Sequence, residues 1–257
     1  MRKIQIVRGT IGVAGAVAVA ELASRSGLVD PAALPAASTV LQRAAELTVD
    51  GEFLADVTDT LKAWLGGLAL ATLIALAAGL ALGSTPWLGR ASRIVVEFMR
   101  PIPSVALIPL AIVTFSSATQ SKMALVCYAA TWPILINTLY ALRDVDPLAK
   151  ETLRSFGFGP AAVLLRVNLP SIAPFVATGV RISASVGLVV VISTELVAGG
   201  EGIGSYLTET QSGGGRPDLM LAGAVWAGVL GLLINAVLVA AERRAFRWHT
   251  VRTGASA

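Results

Sequence analysis

One cysteine, one histidine, few charges and few aromatic side chains mark this 257-residue sequence. Cys127 has no second thiol with which to close an internal disulfide, and it sits in an apolar run where a small packing residue suffices. His249 stands alone in a basic tail, so neither a His-based zinc site nor a Ser/His/Asp triad can be assembled. No metal site is expected. No Gly-x-x-x-x-Gly-Lys-Ser/Thr phosphate loop occurs, and not one Gly-Lys pair is present, so the chain is not expected to hydrolyse ATP by that route. Aromatics are 6% and no long basic run exists, which argues against nucleic acid despite a net charge of +4.

Charged residues make up 14% of the chain, against about 25% in a soluble domain. Hydrophobic residues make up 55%, and the mean hydropathy is +0.74. That much apolar surface needs lipid as its solvent. The expected class is all-α, a polytopic membrane protein of about six transmembrane helices.

Apolar runs of about 20 residues place the spans. The first covers residues 4–23 behind Arg2, Lys3 and Arg8, and reads as a retained helix rather than a cleaved signal. Residues 24–60 read as an outer loop with an acidic stretch (Asp50, Glu52, Asp56, Asp59) and a short amphipathic helix over 41–47. The second span is 61–83, with Ala71, Ala75, Gly79 and Gly83 forming a close-packing face. The third, 94–115, is interrupted by Pro101, Pro103 and Pro109 and must kink or begin late. The fourth is 122–142 and the fifth 174–198. A glycine-rich loop follows, read as a docking or gating loop. The sixth, 219–241, carries Gly223, Ala227, Gly231 and Asn235 on one face. Both termini inside places about 13 of the 20 Lys and Arg in the cytoplasm, so the orientation is N-in/C-in. The domains are then 1–60, a first helix with an outer amphipathic segment; 61–245, a core with a cytoplasmic loop at 143–173; and 246–257, a cytoplasmic tail.

The cytoplasmic loop carries the strongest pattern. Asp146-Pro147 is a capping carboxylate before a residue preset for a first helical turn. Leu148, Thr152 and Phe156 lie four apart, with Leu153 beside them, and Gly157 is a natural helix stop. Gly159-Pro160 opens a second short helix expected to end near Pro170. Such an apolar stripe either lies on the bilayer or docks in a groove of another protein.

Glu151, Gly157 and Leu169-Pro170 at this spacing resemble the cytoplasmic loop of binding-protein-dependent ABC importer permeases. The usual Glu-Ala-Ala start reads Glu151-Thr152-Leu153 here. Pro101-Ile-Pro-Ser-Val-Ala-Leu-Ile-Pro-Leu110, Trp132-Pro-Ile-Leu-Ile-Asn-Thr138, Gly179-Val-Arg-Ile182 and Glu195-Leu-Val-Ala-Gly-Gly-Glu-Gly-Ile-Gly-Ser-Tyr206 are similar to the nitrate/sulfonate/taurine-type subfamily. The stretch from Phe115 to Lys122 departs from it, because the family has a glycine-bearing turn there. The resemblance implies a type I importer fold in the bacterial cytoplasmic membrane. It implies a permease subunit that is not itself an enzyme and moves a small anionic or polar organic solute. It implies an ATP-binding cassette subunit that uses ATP and Mg, a periplasmic or lipid-anchored substrate-binding protein, and a homodimer surrounded by membrane lipid. The coupling residues implied are Asp146, Pro147, Leu148, Glu151, Thr152, Leu153, Ser155, Phe156, Gly157 and Pro160. An ion-coupled secondary transporter is the alternative, though it would want midplane carboxylates and inverted repeats.

Pathway candidates are Ser104, Ser183, Ser193 and Glu195. Serines such as Ser183, Ser185 and Ser193, with Thr194 and Asn235, serve more often as interhelical hydrogen-bond donors. Glu195 either orders the glycine-rich loop or faces the pathway. Arg181, expected about two turns from the cytoplasmic end, reads as a structural anchor.

Overall fold

A computed structural model describes residues 2–26, 34–212 and 215–246. The expected tail from Arg247 onward, with His249 and Arg252, lies outside the described residues, as do Pro31, Gly213 and Gly214. Among the described residues every regular element is helical. In chain order they are α1 (Arg2–Arg25), α2 (Ala37–Glu46), α3 (Gly51–Ser84), α4 (Pro86–Met99), α5 (Ile108–Thr114), α6 (Ala118–Asp144), α7 (Pro147–Ser155), α8 (Pro160–Val163), α9 (Leu169–Ala198), α10 (Ile203–Ser212) and α11 (Pro217–Ala245). Four helical stretches among the described residues are long and apolar enough to cross a membrane, containing α3, α6, α9 and α11, or five if the bent α4–α5 pair is one span. The helix α1 forms where a first span is expected but is not one of these.

The chain divides into two compact units, Met1–Thr60 with Gly199–Leu230, and Leu61–Ala198 with Gly231–Ala257. In the first, Phe53, Leu47, Val40, Ala44 and Ala222 form the core, and Tyr206 stacks edge-on to Phe53 at 5.0 Å. Trp226 Nε1 donates to the Ala44 carbonyl at 2.8 Å, and Arg43 pairs with Asp218 at 3.0 Å. Arg43 also hydrogen-bonds Glu46, which holds that carboxyl below its usual range. The acidic stretch read as loop is instead the start of α3. Asp50 caps it, accepting from the N–H groups of Glu52 and Phe53 at 2.9 and 3.1 Å. Phe53, Val57 and Thr60 then follow at helical spacing on the inner face, which the acidic residues between them conceal. At 34 residues α3 is about 51 Å long, so it outruns a hydrocarbon core of about 30 Å.

Two helices of this unit start without a cap of their own and borrow one. The N–H of Ser38 in α2 donates to Glu21 of α1 at 2.9 Å. Gly202 and Ile203 at the head of α10 donate to Asp56 Oδ1 and Thr60 Oγ1 of α3, at 2.7 and 3.0 Å. The glycine-rich loop is therefore tied down at its far end; Gly199, Gly200 and Gly202 supply its left-handed turns, with φ of 68°, 98° and 125°.

In the second unit α6 packs against α9, and α3 packs against α6. The small-residue face of α3 packs as expected. A Cβ on Gly67 would lie 2.7 Å from the Met123 carbonyl, and one on Gly79 would lie 2.6 Å from Thr138 Cγ2. Gly83 meets Leu142 further along, so α3 and α6 run parallel. Against α6, α9 runs antiparallel: Gly187 meets Val126, Ser183 meets Ala130 and Gly179 meets Ile134. In α11, Gly231 meets Leu188, and Glu242 meets Arg181, so it runs antiparallel to α9. Two parallel neighbours need a return crossing between them, and only α4–α5 is available. It bends by 82° across Pro101 and Pro103, the kink expected from those prolines. Tyr128 Oη donates to the carbonyl of Met99 at the break, at 2.7 Å.

The second short helix does not stop near Pro170. It opens into a π-turn over Leu164–Asn168, where the N–H of Leu169 reaches back five residues to the Leu164 carbonyl. Pro170 has no N–H to offer and its ring crowds the carbonyl four residues back, so the widened turn carries the helix past it into α9.

The α3–α6 contact gives a direct test. Gly67→Leu forces a side chain into a backbone carbonyl and should lower stability by about 1–3 kcal/mol or more. Gly228→Ala, with nothing within 4 Å, should leave it unchanged. The readout is the temperature at which detergent-solubilised protein loses its monodisperse gel-filtration peak.

Candidate functional site

The connection between α6 and α9 is built as a hinge with defined ends. Asp146 Oδ1 accepts from Leu148 N at 2.8 Å, with Pro147 as the first helical residue. At the other end Phe158 N donates to the Leu153 carbonyl at 3.1 Å and Gly157 N to that of Arg154 at 2.9 Å. This is the Schellman pattern, and it requires the left-handed φ of 82° that Gly157 adopts. Pro160 opens α8, and Arg166 lies over the Phe158 ring at 4.8 Å. Val163 and Val167 are buried and root the hinge in the second unit.

Between these ends α7 presents its stripe outward. Leu148 is 68% and Phe156 77% exposed, with Thr152 on the same face and Leu153 half-buried. Thr152 and Ser155 bond back to the carbonyls of Leu148 and Glu151, and Glu151 itself is exposed. Gly83 and Leu142 meet in the last turns of α3 and α6, so this hinge lies beyond the end of the bundle where α3 and α6 finish. The Arg181–Glu242 contact puts the C-terminal end of α11 there too.

The pathway candidates are spread rather than gathered. Ser104 opens the 3-10 turn that follows the α4 break and is half-buried, as is Ser193 on α9. Ser183 is fully buried and donates to the Ala130 carbonyl across the α6–α9 crossing at 2.6 Å. Pro133 withholds the N–H that would serve the adjacent carbonyl of Ala129. Thr194 bonds within its own helix, and Ser185 and Asn235 are exposed. Arg181 is an anchor: it sits about 18 Å into α9, deeper than expected because α9 starts at Leu169, and meets Glu242 of α11 at 3.4 Å. The alignment is that of a charge contact rather than a hydrogen bond. Thr178 also donates to Glu242, at 3.1 Å.

One pair was not anticipated. Lys122 Nζ donates to Glu195 Oε1 at 3.2 Å, with side chains 4% and 0% exposed. The two are 73 residues apart, but each stands at the same end of its span, Lys122 at the start of α6 and Glu195 near the finish of α9. Opposite charges at the shared end of two antiparallel spans were the available signal. The acidic run at the start of α3 likewise conceals Asp56 and Thr60, which accept from Gly202 and Ile203.

Residues 67–247 match the family described as binding-protein-dependent transport system inner membrane component. The chain belongs to that family. It is an ABC importer permease, a multi-pass component of the inner membrane. A protein named a probable ABC transporter permease of Brucella abortus (strain 2308) is 31% identical over 219 residues, covering 84% of this chain and 86% of its own length. The taurine transport system permease protein of Escherichia coli (strain K12) is 27% identical, covering 86% and 82%. Among solved structures, the inward-facing MetNI methionine ABC transporter superposes with a TM-score of 0.65 at 20% identity, over 75% of this chain and 95% of that one. A bacterial ABC transporter that imports alginate gives 0.66 at 16% identity, over 94% and 93%. These two likenesses establish the fold of the permease. The relatives and structures named above are components of ABC transporters, and none of them supports an ion-coupled secondary transporter.

A buried ion pair is costly to break and inexpensive to replace whole. Lys122→Met or Glu195→Leu alone should destabilise the permease by about 3 kcal/mol or more, because either leaves its partner's charge buried. The double variant should recover most of that loss in a thermal or denaturant melt. Simple additivity of the two losses would show that the charges do not act as a pair.

Proposed function

We propose that this permease carries a small anionic or polar organic solute into the cytoplasm, and that α7 and α8 seat in a cleft of a separate ATP-binding cassette subunit. The observation that carries the reading is the exposed apolar stripe of Leu148 and Phe156 on a helix capped at both ends, standing off the bundle. A short capped helix keeps its shape when pushed, and an apolar face that large gains from a protein groove. The preponderance of Lys and Arg on the loops at this end supports a cytoplasmic position, with both termini inside and α1 as a sixth span.

The solute class is supported by relatives named for nitrate, taurine and bicarbonate transport. Nucleotide and Mg belong to the ATP-binding subunit, and a substrate-binding protein delivers solute on the opposite face. The permease pairs with itself across a two-fold axis, with the pathway between copies. Exposed apolar side chains on α11 such as Leu232, Leu233 and Val237 suit a second copy or lipid. In this scheme the half-buried Ser104 and Ser193 line the pathway, while Ser183 and Glu195 hold α6 to α9 beside it. ATP draws the two cassette subunits together, the hinges move with them, and the bundle changes between inward- and outward-open states.

Glu151→Lys, Phe156→Asp and Gly157→Pro should each abolish ATP-driven uptake of the solute that the cognate binding protein retains, measured in proteoliposomes, while the permease still inserts. Proline is fixed near φ of about −65° and cannot take the elbow's positive φ. Uptake at the unmodified rate in all three would remove α7 from the coupling path.

A further inference from the structure

We propose that a cavity at the hinge end of the second unit is a binding site for the phosphate headgroup of an anionic phospholipid. The cavity, about 470 Å³, opens between the last turn of α3, α4 and the last two turns of α6. Its lining carries Arg90 near the start of α4, Arg143 in the last turn of α6 and, further in, Arg100 at the α4 break, with a single carboxylate, Glu97. Three cations against one anion leave the site with an excess of two positive charges.

Depth distinguishes this site from a merely basic surface. Arg143 is in the last turn of α6, at the level where a spanning helix meets headgroups. Leu139 and Ile136 line the same cavity one and two turns deeper, about 6 and 10 Å further along the helix. Val96 of α4 lines the cavity as well, and Leu82, in the last turn of α3, lies level with Arg143. A ligand with a negative head between Arg90 and Arg143 and a hydrocarbon tail beside Leu139 and Ile136 fits this ordering, with Arg100 further in, and a small free anion at Arg143 would leave Leu139 and Ile136 uncovered. Arg guanidinium groups suit phosphate oxygens because their N–H donors are fixed in a fork. Tyr140, 63% exposed with Arg143 Cζ 6.0 Å from its ring centre, is an amphipathic side chain at interface depth. On α4, Arg90 and Glu97, with Arg100 just past its end, line the cavity, and Trp87, Ile94 and Phe98 are exposed beside them. Basic pockets between spans on the cytoplasmic side are where anionic headgroups bind, and the assignment rests on the N-in/C-in orientation given above.

The test is native mass spectrometry of the full-length permease titrated with phosphatidylglycerol, phosphatidylcholine or inorganic phosphate. The wild type should retain phosphatidylglycerol in preference to phosphatidylcholine. Each basic side chain near an anionic surface contributes enough for about a fivefold change. Arg143→Gln should therefore weaken phosphatidylglycerol retention about fivefold, and the triple variant R90Q/R100Q/R143Q should erase the preference. R90K/R100K/R143K should keep most of it. Equal retention of the two lipids by the wild type, or unchanged preference in both Gln variants, overturns the proposal. Displacement of the lipid by inorganic phosphate at equal concentration would make the site one for free anions and overturn the lipid assignment. Any of these failures would leave the uptake phenotype of the α7 variants as it is, so the two readings fail separately.

Discussion

The antiparallel crossing of α6 and α9 is the contact on which the rest of the permease depends. At Gly179 the two backbones come so near that a methyl group there would stand 3.0 Å from Ile134 Cα and 3.2 Å from the Pro133 carbonyl. Lipid gives helices no hydrophobic reason to associate, so packing at this range and hydrogen bonds across it must hold them. Ser183 and the Lys122–Glu195 pair supply those bonds, the serine mid-crossing and the ion pair at the far end. Trp64 brings α3 onto the same pair, donating to the Ala184 carbonyl of α9 at 2.9 Å.

The hinge inherits its position from this crossing. It joins these two closely packed helices, and buried Val163 and Val167 continue α9's packing into it. A displacement of α7 therefore acts on the α6–α9 pair and not on a loose loop. Caps at Asp146 and Gly157 keep α7 a short, defined rod, and the π-turn keeps α8 continuous with α9 in spite of Pro170. The apolar face of Leu148 and Phe156 is then an outward surface on a rigid mount. Arg181, Thr178 and Glu242 tie α11 to the same end of α9.

Much of this was legible in the residues. Apolar runs marked the long helices, Asp146-Pro147 and Gly157 marked the ends of α7, and the prolines after Arg100 marked a break. What escaped had physical causes. Glu52, Asp56 and Asp59 gave the start of α3 the look of a polar loop, while Phe53, Val57 and Thr60 between them kept helical spacing. The Lys122–Glu195 pair joins distant parts of the chain, and only topology brings it to notice. The borrowed caps at Ser38 and Gly202 depend on acids from other helices, which no local motif encodes. The early end expected at Pro170 followed from treating proline as a stop, whereas a widened turn accommodates it.

The central claim is that the stripe on α7 is held by a nucleotide-driven subunit. A photo-crosslinking amino acid in place of Leu148, in the transporter reconstituted with its ATP-binding and substrate-binding proteins, tests it most directly. The account predicts an adduct between residue 148 and the ATP-binding subunit whose yield changes on adding ATP. Adducts to lipid alone, with no trace of the ATP-binding subunit in either nucleotide state, would contradict it.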